Sequence, residues 1–257
     1  SDVTNVAWCW KAETAFSNDA SATSIGTIDS TGSVNDTAGI SIVSYTGTGA
    51  TATIGHGLGA APKMVIVKQT NTTRNWVVMH QGIGFTKYLY LDSTQASSTG
   101  NFFNDTDPSS TVFNVVNDGG VNASSGSYIA YCFAPIKGYS KFGNYTGNGN
   151  ADGTFVHTGF SPAFVLLKNV DEVEQWWIFD NKRNAYDGNF RYYSLNPNAS
   201  SAEGTTSGDN NHIDFYSNGF KLRTTAQQLN GTSDNFIYMA FAEAPFVTST
   251  SVPATAR

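Results

Sequence analysis

Two stretches of this chain are copies of each other, set one hundred positions apart. Tyr45-Thr46-Gly47-Thr48-Gly49 recurs as Tyr145-Thr146-Gly147-Asn148-Gly149. Pro62 recurs as Pro162, Lys68 as Lys168 and Trp76 as Trp176, without a gap. The register then shifts by ten, so that Tyr128-Ile129-Ala130-Tyr131 through Ala134-Pro135 aligns with Tyr238-Met239-Ala240-Phe241 through Ala244-Pro245. A partial third copy opens the chain, where Val6-Ala7-Trp8-Cys9-Trp10 reads like Ile129-Ala130-Tyr131-Cys132-Phe133. Such a repeat is longer than the ~20–50 residues of a solenoid unit and has the size of a compact domain. The pattern predicts residues 1–12 as the last strand of an upstream repeat and 13–38 as a linker. Residues 39–136 and 137–247 follow as two tandem repeats, and 248–257 as a tail. Because the chain does not begin with Met, it reads as a fragment or as the ordered part of a longer chain.

Strand signals dominate both copies. Ile40–Tyr45 is β-branched and aromatic, and Lys63–Lys68 is a short apolar run bracketed by lysines, the pattern of a buried strand. Asn75–His80 and Lys87–Leu91 follow, with Ala163–Lys168, Gln175–Asp180 and Phe190–Leu195 as counterparts in the second copy. Ser217-Asn218-Gly219 joins Ile213–Tyr216 to Phe220–Arg223, a strong hairpin signal. No window carries an apolar stripe at helical spacing. Gly, Asn, Asp and Ser punctuate the chain every ~8–12 residues. The expectation is an all-β protein of two tandem β-sandwich, jelly-roll-like repeats. Residues 12–38, small and polar with little periodicity, read as the linker.

The charge balance narrows the partners. Hydrophobic residues make up 40% and charged residues only 13%, against the ~25% charged of an ordinary globular domain. The surface is therefore rich in Ser, Thr, Asn and Gly, as in secreted proteins and assembled fibres. Net charge is −6 and no basic run exists, which argues against nucleic acid. No stretch approaches the ~18 apolar residues of a membrane span.

Candidate chemistry is sparse. Gly55-His56-Gly57-Leu58-Gly59 precedes a strand rather than a helix, so it reads as a turn and not as a phosphate loop. His56, His80, His157 and His212 lack the paired spacing of metal ligands. Cys9 and Cys132 are expected to be unbridged small hydrophobes. Asp171, Glu172, Glu174, Asp180, Asp187 and Asp214 supply carboxylates in the second copy, but the first copy has Asn71, Thr72 and Arg74 in place of the first three. That asymmetry reads as an acidic loop rather than the facing acid pair of a glycosidase. No Gly-x-Ser-x-Gly elbow is present. Sequons such as Asn71-Thr72-Thr73 and Asn144-Tyr145-Thr146 occur about as often as chance allows. No catalytic residue, cofactor or metal is expected.

Aromatic residues remain. Trp176 and Trp177 face opposite ways on one strand, so one must leave its domain core for a neighbouring domain, a neighbouring subunit or a sugar ring. Trp76, Trp176 and Trp177 are the candidate interface or ligand aromatics.

These residues also carry a resemblance. The run Gly138–Gly149, then Gly153, Phe155, Thr158-Gly159-Phe160 and Pro162–Asn169, resembles a domain family of marine tailed phages. Val6–Ala12, Gly57–Lys68, Ser217–Lys221 and Ala240–Glu243 with Pro245-Phe246 extend the likeness over nearly the whole chain. Members are virion structural or tail-fibre-like proteins, often with a lectin-like β-sandwich upstream, and the family has no assigned catalytic residues. The resemblance implies a non-enzymatic virion appendage, a tail or capsid fibre or receptor-binding part, located on the extracellular particle. It implies self-association, most simply as a homotrimer, contact with other virion proteins, and adhesion to a host-surface glycan or protein. The rival expectations are a virion polysaccharide depolymerase and a cellular adhesin or filament subunit.

Overall fold

A computed structural model describes residues 6–183, 190–191, 193–204 and 212–243. In chain order the first strands are β1 Thr14–Asn18, β2 Ser30–Asn35, β3 Ile40–Thr46, β4 Ala52–Gly55, β5 Met64–Gln69 and β6 Val77–His80. β7 Lys87–Tyr90, β8 Ser98–Thr99, β9 Val112–Val115 and β10 Ser127–Phe133 complete the first unit. The second unit holds β11 Ser140–Thr146, β12 Phe155–His157, β13 Pro162–Asn169, β14 Trp176–Asp180 and β15 Phe190–Arg191. It ends with β16 Ile213–Tyr216, β17 Gly219–Leu222 and β18 Asn235–Ala242. Among the described residues, two single-turn α-helices, α1 Ala20–Thr23 and α2 Gln227–Asn230, and a 3-10 turn at Gln81–Ile83 interrupt the strands.

The protein is all-β and of β-sandwich type, and among the described residues every strand pair is antiparallel. One sheet runs β1-β2-β3-β10-β5-β6-β7-β8, and a second runs β11-β18-β13-β14. The order β3-β10-β5-β6 of the first therefore recurs in the second. A β4-β9 pair covers the first sheet, and β12-β17-β16-β15 covers the second.

The result is four stacked layers with three apolar cores between them. Val43, Val65, Val67, Ala130 and Phe113 lie in the core beneath β4 and β9. Val165, Leu167, Phe179, Phe220 and Tyr238 lie in the outer core of the second unit. The central core joins the units: Ile40, Met64, Ile66 and Phe133 of one sheet meet Phe164, Leu166, Trp176, Met239 and Phe241 of the other. Side chains alternate along a strand, so inner strands such as β5, β6, β10, β13 and β18 feed two cores at once. This explains continuous apolar runs such as Met64–Val67, which a sheet with one wet face would not show.

The repeated Tyr-Thr-Gly-x-Gly motif is a clasped turn. Tyr45 donates its hydroxyl to Val121 O at 2.6 Å, and Tyr145 donates to Leu229 O at 2.7 Å. The next residues, Asn122 and Asn230, are fully buried. Asn122 Oδ1 accepts Thr48 N at 2.9 Å and Asn230 Oδ1 accepts Asn148 N at 3.0 Å. A Cβ on Gly147 would stand 2.2 Å from Gly231 O, and one on Gly47 would stand 2.1 Å from Ala123 O. Both positions therefore require glycine.

Three expectations are corrected. Residues 13–38 are not a linker: β1 and β2 form a hairpin that pairs with β3 from Ser30↔Tyr45 to Asn35↔Ile40. Their small polar side chains lie at the sheet's rim, where little apolar burial is required. Residues 6–10 are not a strand. Instead Trp10 packs edge-on against Phe133 at 6.4 Å, Phe164 at 5.4 Å and Phe241 at 5.4 Å, straddling both units. Finally, the closing strands match with a shift of eight rather than ten, because Tyr45↔Tyr128 corresponds to Tyr145↔Phe236. The counterpart of Cys132 is thus Ala240, not Ala242. Cys9 is exposed, Cys132 is buried, and both are free.

Candidate functional site

The face of the first sheet that meets the second unit is longer than the area covered. At the covered end stand Ile40, Phe133 and Met64, cross-strand neighbours in one row. Two rows further on stand Ser44, Ile129 and Lys68, which lie outside the central core. Trp76 extends this row just before β6. Its N–H is held by Asp92 Oδ1 at 3.0 Å, and its carbonyl accepts Leu91 N at 3.0 Å.

Half-buried Trp76 and Tyr131 stack at 6.1 Å with 25° between their planes. Lys68 Nζ lies 5.9 Å from the indole centre, within cation–π range, and also donates to Arg74 O. Beside this ledge is an open recess of about 670 Å³ floored by Gln69, Thr70, Asn71, Thr72 and Thr73. A second recess of about 560 Å³ shares Thr70 and Ile129 with it and continues past Ser44, Thr46 and Ser127 to Asp19 and Asp29. Together they form a polar shelf across the strands.

Electrostatics on the shelf are mild. Asp19 caps α1, accepting Ser21 N at 3.0 Å and Ala22 N at 3.1 Å. The Ser21 hydroxyl, and then the Ala22 amide, hold its carboxyl below the usual range. Asp29 Oδ1 accepts Ala20 N at 2.9 Å. Amides and hydroxyls supply the remaining donors and acceptors.

The other tryptophans lie elsewhere. Trp176 is 1% exposed in the central core, where its Nε1 donates to Tyr90 O of the first unit at 2.8 Å. It is Trp176 that leaves its own domain's core, and the neighbouring unit covers it. Trp177 points to the opposite side, stacked on Phe179 at 6.5 Å, and its buried indole N–H has no hydrogen-bond partner.

The remaining candidates are structural in position. His56 Nδ1 accepts Leu58 N at 3.1 Å, so this ring organises the glycine turn. His80 is fully buried, accepts Gly82 N at 3.0 Å and reaches Tyr238 O at 3.1 Å across the units. His157 is exposed and His212 is buried. Among the described residues no three His, Cys, Asp or Glu side chains gather at one place. Asp180 takes the place of His80. It accepts Trp8 Nε1 at 3.1 Å and pairs with Arg183 at 2.6 Å, which outweighs burial and leaves its carboxyl below the usual range. Asp214 pairs with Arg223 at 2.9 Å, and Asp171 Oδ2 accepts Asn235 N at 2.7 Å. Burial pushes the carboxyl of half-buried Glu174 up, while Glu172 lends its carbonyl to Lys168 Nζ at 3.3 Å. Asp187 lies outside the described residues.

Buried Lys168 donates to Thr94 O of the first unit as well as to Asn169 O and Glu172 O. Burial lowers its pKa to about 8. It holds the two units together, whereas its repeat mate Lys68 lies on the shelf. Sequence reasoning missed Tyr131 as the partner of Trp76. The signal was available, because Tyr131 lies on the face of β10 shared with Phe133.

A family model described as a domain of unknown function (DUF7483) matches residues 1–245. No curated protein matches the chain, and no solved structure does.

Proposed function

The chain belongs to the DUF7483 family, and from that premise we propose that it is a non-enzymatic adhesion part of a phage virion, a fibre or receptor-binding appendage that grips host-surface glycan. The observation that carries the reading is the Trp76–Tyr131 ledge beside a shelf of amides and hydroxyls. An aromatic face takes the apolar side of a sugar ring, and neighbouring amides and hydroxyls take its hydroxyl groups. Each such site is weak, so the reading includes self-association, most simply a trimer, which raises effective concentration. The phage setting rests on the sequence resemblance. Trp76→Ala is expected to weaken binding to host cells at least tenfold, about 1.4 kcal/mol, without shifting the unfolding midpoint. Unchanged binding would overturn the reading.

A depolymerase is the second reading, favoured by one observation: Asp19 and Asp29 line the same recess. A glycosidase acid needs a raised pKa, whereas Asp19 is shifted the other way. Time-dependent release of reducing sugar from host polysaccharide, lost in Asp29→Asn, would establish the hydrolytic reading.

A further inference from the structure

The ledge has a second side. Trp76 and Tyr131 also line an open cleft of about 380 Å³ that runs between the two units. Its walls are apolar, with Trp8, Trp10, Ile42 and Leu91 among them. We propose that the shelf's ligand is an amphiphile, a saccharide bearing an alkyl or acyl chain, with the saccharide on the shelf and the chain in this cleft; the inference rests on the glycan reading of the shelf.

Chemistry on the two sides of the ledge selects this occupant. A sugar hydroxyl moved into the cleft would lose its water and find almost no partner, at a cost of several kcal/mol. Trp8 Nε1 is already spent on Asp180 Oδ2 at 3.1 Å. A hydrocarbon chain has no such cost. The volume falls within the ~300–1,000 Å³ of ligand sites and corresponds to about a dozen waters at roughly 30 Å³ each. Waters with few polar partners are displaced favourably by apolar groups. On the shelf side, Lys68 places a cation next to Trp76, suited to a hydroxylated or anionic head but not to a chain. Cleft and shelf share both ring residues, so a ligand that uses one reaches the other without a gap. Trp8 and Trp10 of the N-terminal arm are walls of the cleft rather than occupants of it.

The test uses the unmodified protein with maltosides of increasing chain length, each below its micelle-forming concentration, and with free maltose. Calorimetry is expected to show affinity rising about fourfold per methylene, equivalent to ~0.8 kcal/mol, and then levelling off once the cleft is full. A chain brominated near its end is expected to quench tryptophan emission. Ile42→Phe, which narrows the cleft, is expected to bring the plateau to shorter chains. No dependence on chain length, no binding of dodecyl maltoside, or a rise without a plateau would overturn the inference. So would sedimentation showing that a second copy of the chain excludes the maltoside. Loss of host-cell binding in Trp76→Ala with no chain-length effect would sink this inference alone and leave the glycan reading standing.

Discussion

Asn122 and Asn230 each devote a whole buried amide to closing a turn. Nδ2 of Asn230 reaches Asn150 O at 2.9 Å and Thr224 O at 2.8 Å, while Oδ1 takes Asn148 N. Asn230→Ala would leave the carbonyl of buried Thr224 unpaired, at about 1–3 kcal/mol, and would release exposed Asn148 and Asn150 from the turn. A loss in this range is expected in denaturant unfolding, and no change would refute the clasp. Both residues also sit in Asn-x-Ser/Thr triplets, Asn122-Ala123-Ser124 and Asn230-Gly231-Thr232, yet both are 0% exposed and so closed to modification once folded. The sequence carried this match, because each follows an apolar residue and precedes its closing aromatic, Tyr128 or Phe236, by the same interval. Aligning the closing strands on Tyr128 and Tyr238 hid it. His56 and His80 contribute to the acid response. Burial lowers both from near 6.5 to about 4. Above pH 6.5 both rings are neutral in either state and add no pH dependence. As pH falls below 6.5 the unfolded chain binds protons that the fold refuses, so stability drops until about pH 4. For fully buried His80 the loss is about 3 kcal/mol. His80→Gln is expected to flatten the stability profile between pH 6.5 and 4, and an unaltered slope would disprove its role.

Among elements, the strands that feed two cores were the legible ones. Lys63–Lys68 and Ala163–Lys168 are apolar on both faces, and such runs announce themselves without help from periodicity. β1 and β2 were illegible because strands near the sheet's edge, such as Ser30–Asn35 with Gly32 at its centre, bury little and look like loop. The eight-versus-ten shift escaped for a related reason. A two-residue slip returns every side chain to the same face, so the apolar pattern cannot reject it, and only cross-strand pairing can. The N-terminal arm failed in the other direction. Val6–Trp10 looks like the strand Ile129–Phe133, but its two half-buried indoles dock on ring edges of both units rather than on a sheet edge. Trp10→Ala removes three edge-to-face contacts and widens the cleft that Trp10 lines. The expected cost is about 2–3 kcal/mol, together with faster proteolysis of the arm. An unchanged unfolding midpoint would show that the arm is merely draped on the surface.

For the molecule as a whole, the all-β class was readable but the way the two main sheets stack was not, since no local pattern states which sheet faces which. The alternation of Trp176 and Trp177 left a neighbouring domain, a neighbouring subunit or a sugar ring to cover one of them. The central core shows that this cover is internal, with Trp176 against Tyr90 and Met239 near Phe133's layer. Oligomerisation therefore has to be argued from the rims and outer faces rather than from Trp176. Stacking also couples the units. Ile66 is 7% exposed and belongs to the first unit, but it packs in the core that Leu166 and Ile178 complete from the second. Ile66→Asp would bury a carboxylate without a partner, and burial of a charge without compensation costs several kcal/mol. Were the units independent, that cost would fall on the first alone. Because both main sheets lose the same core, amides in β13 and β18 are expected to lose hydrogen-exchange protection along with those in β5 and β10. The unmodified chain is expected to unfold in a single transition reported equally by both sets. Protection retained in β13 and β18 of the Ile66→Asp chain would mean that the repeats fold as separate domains, with the central core a docking contact between them.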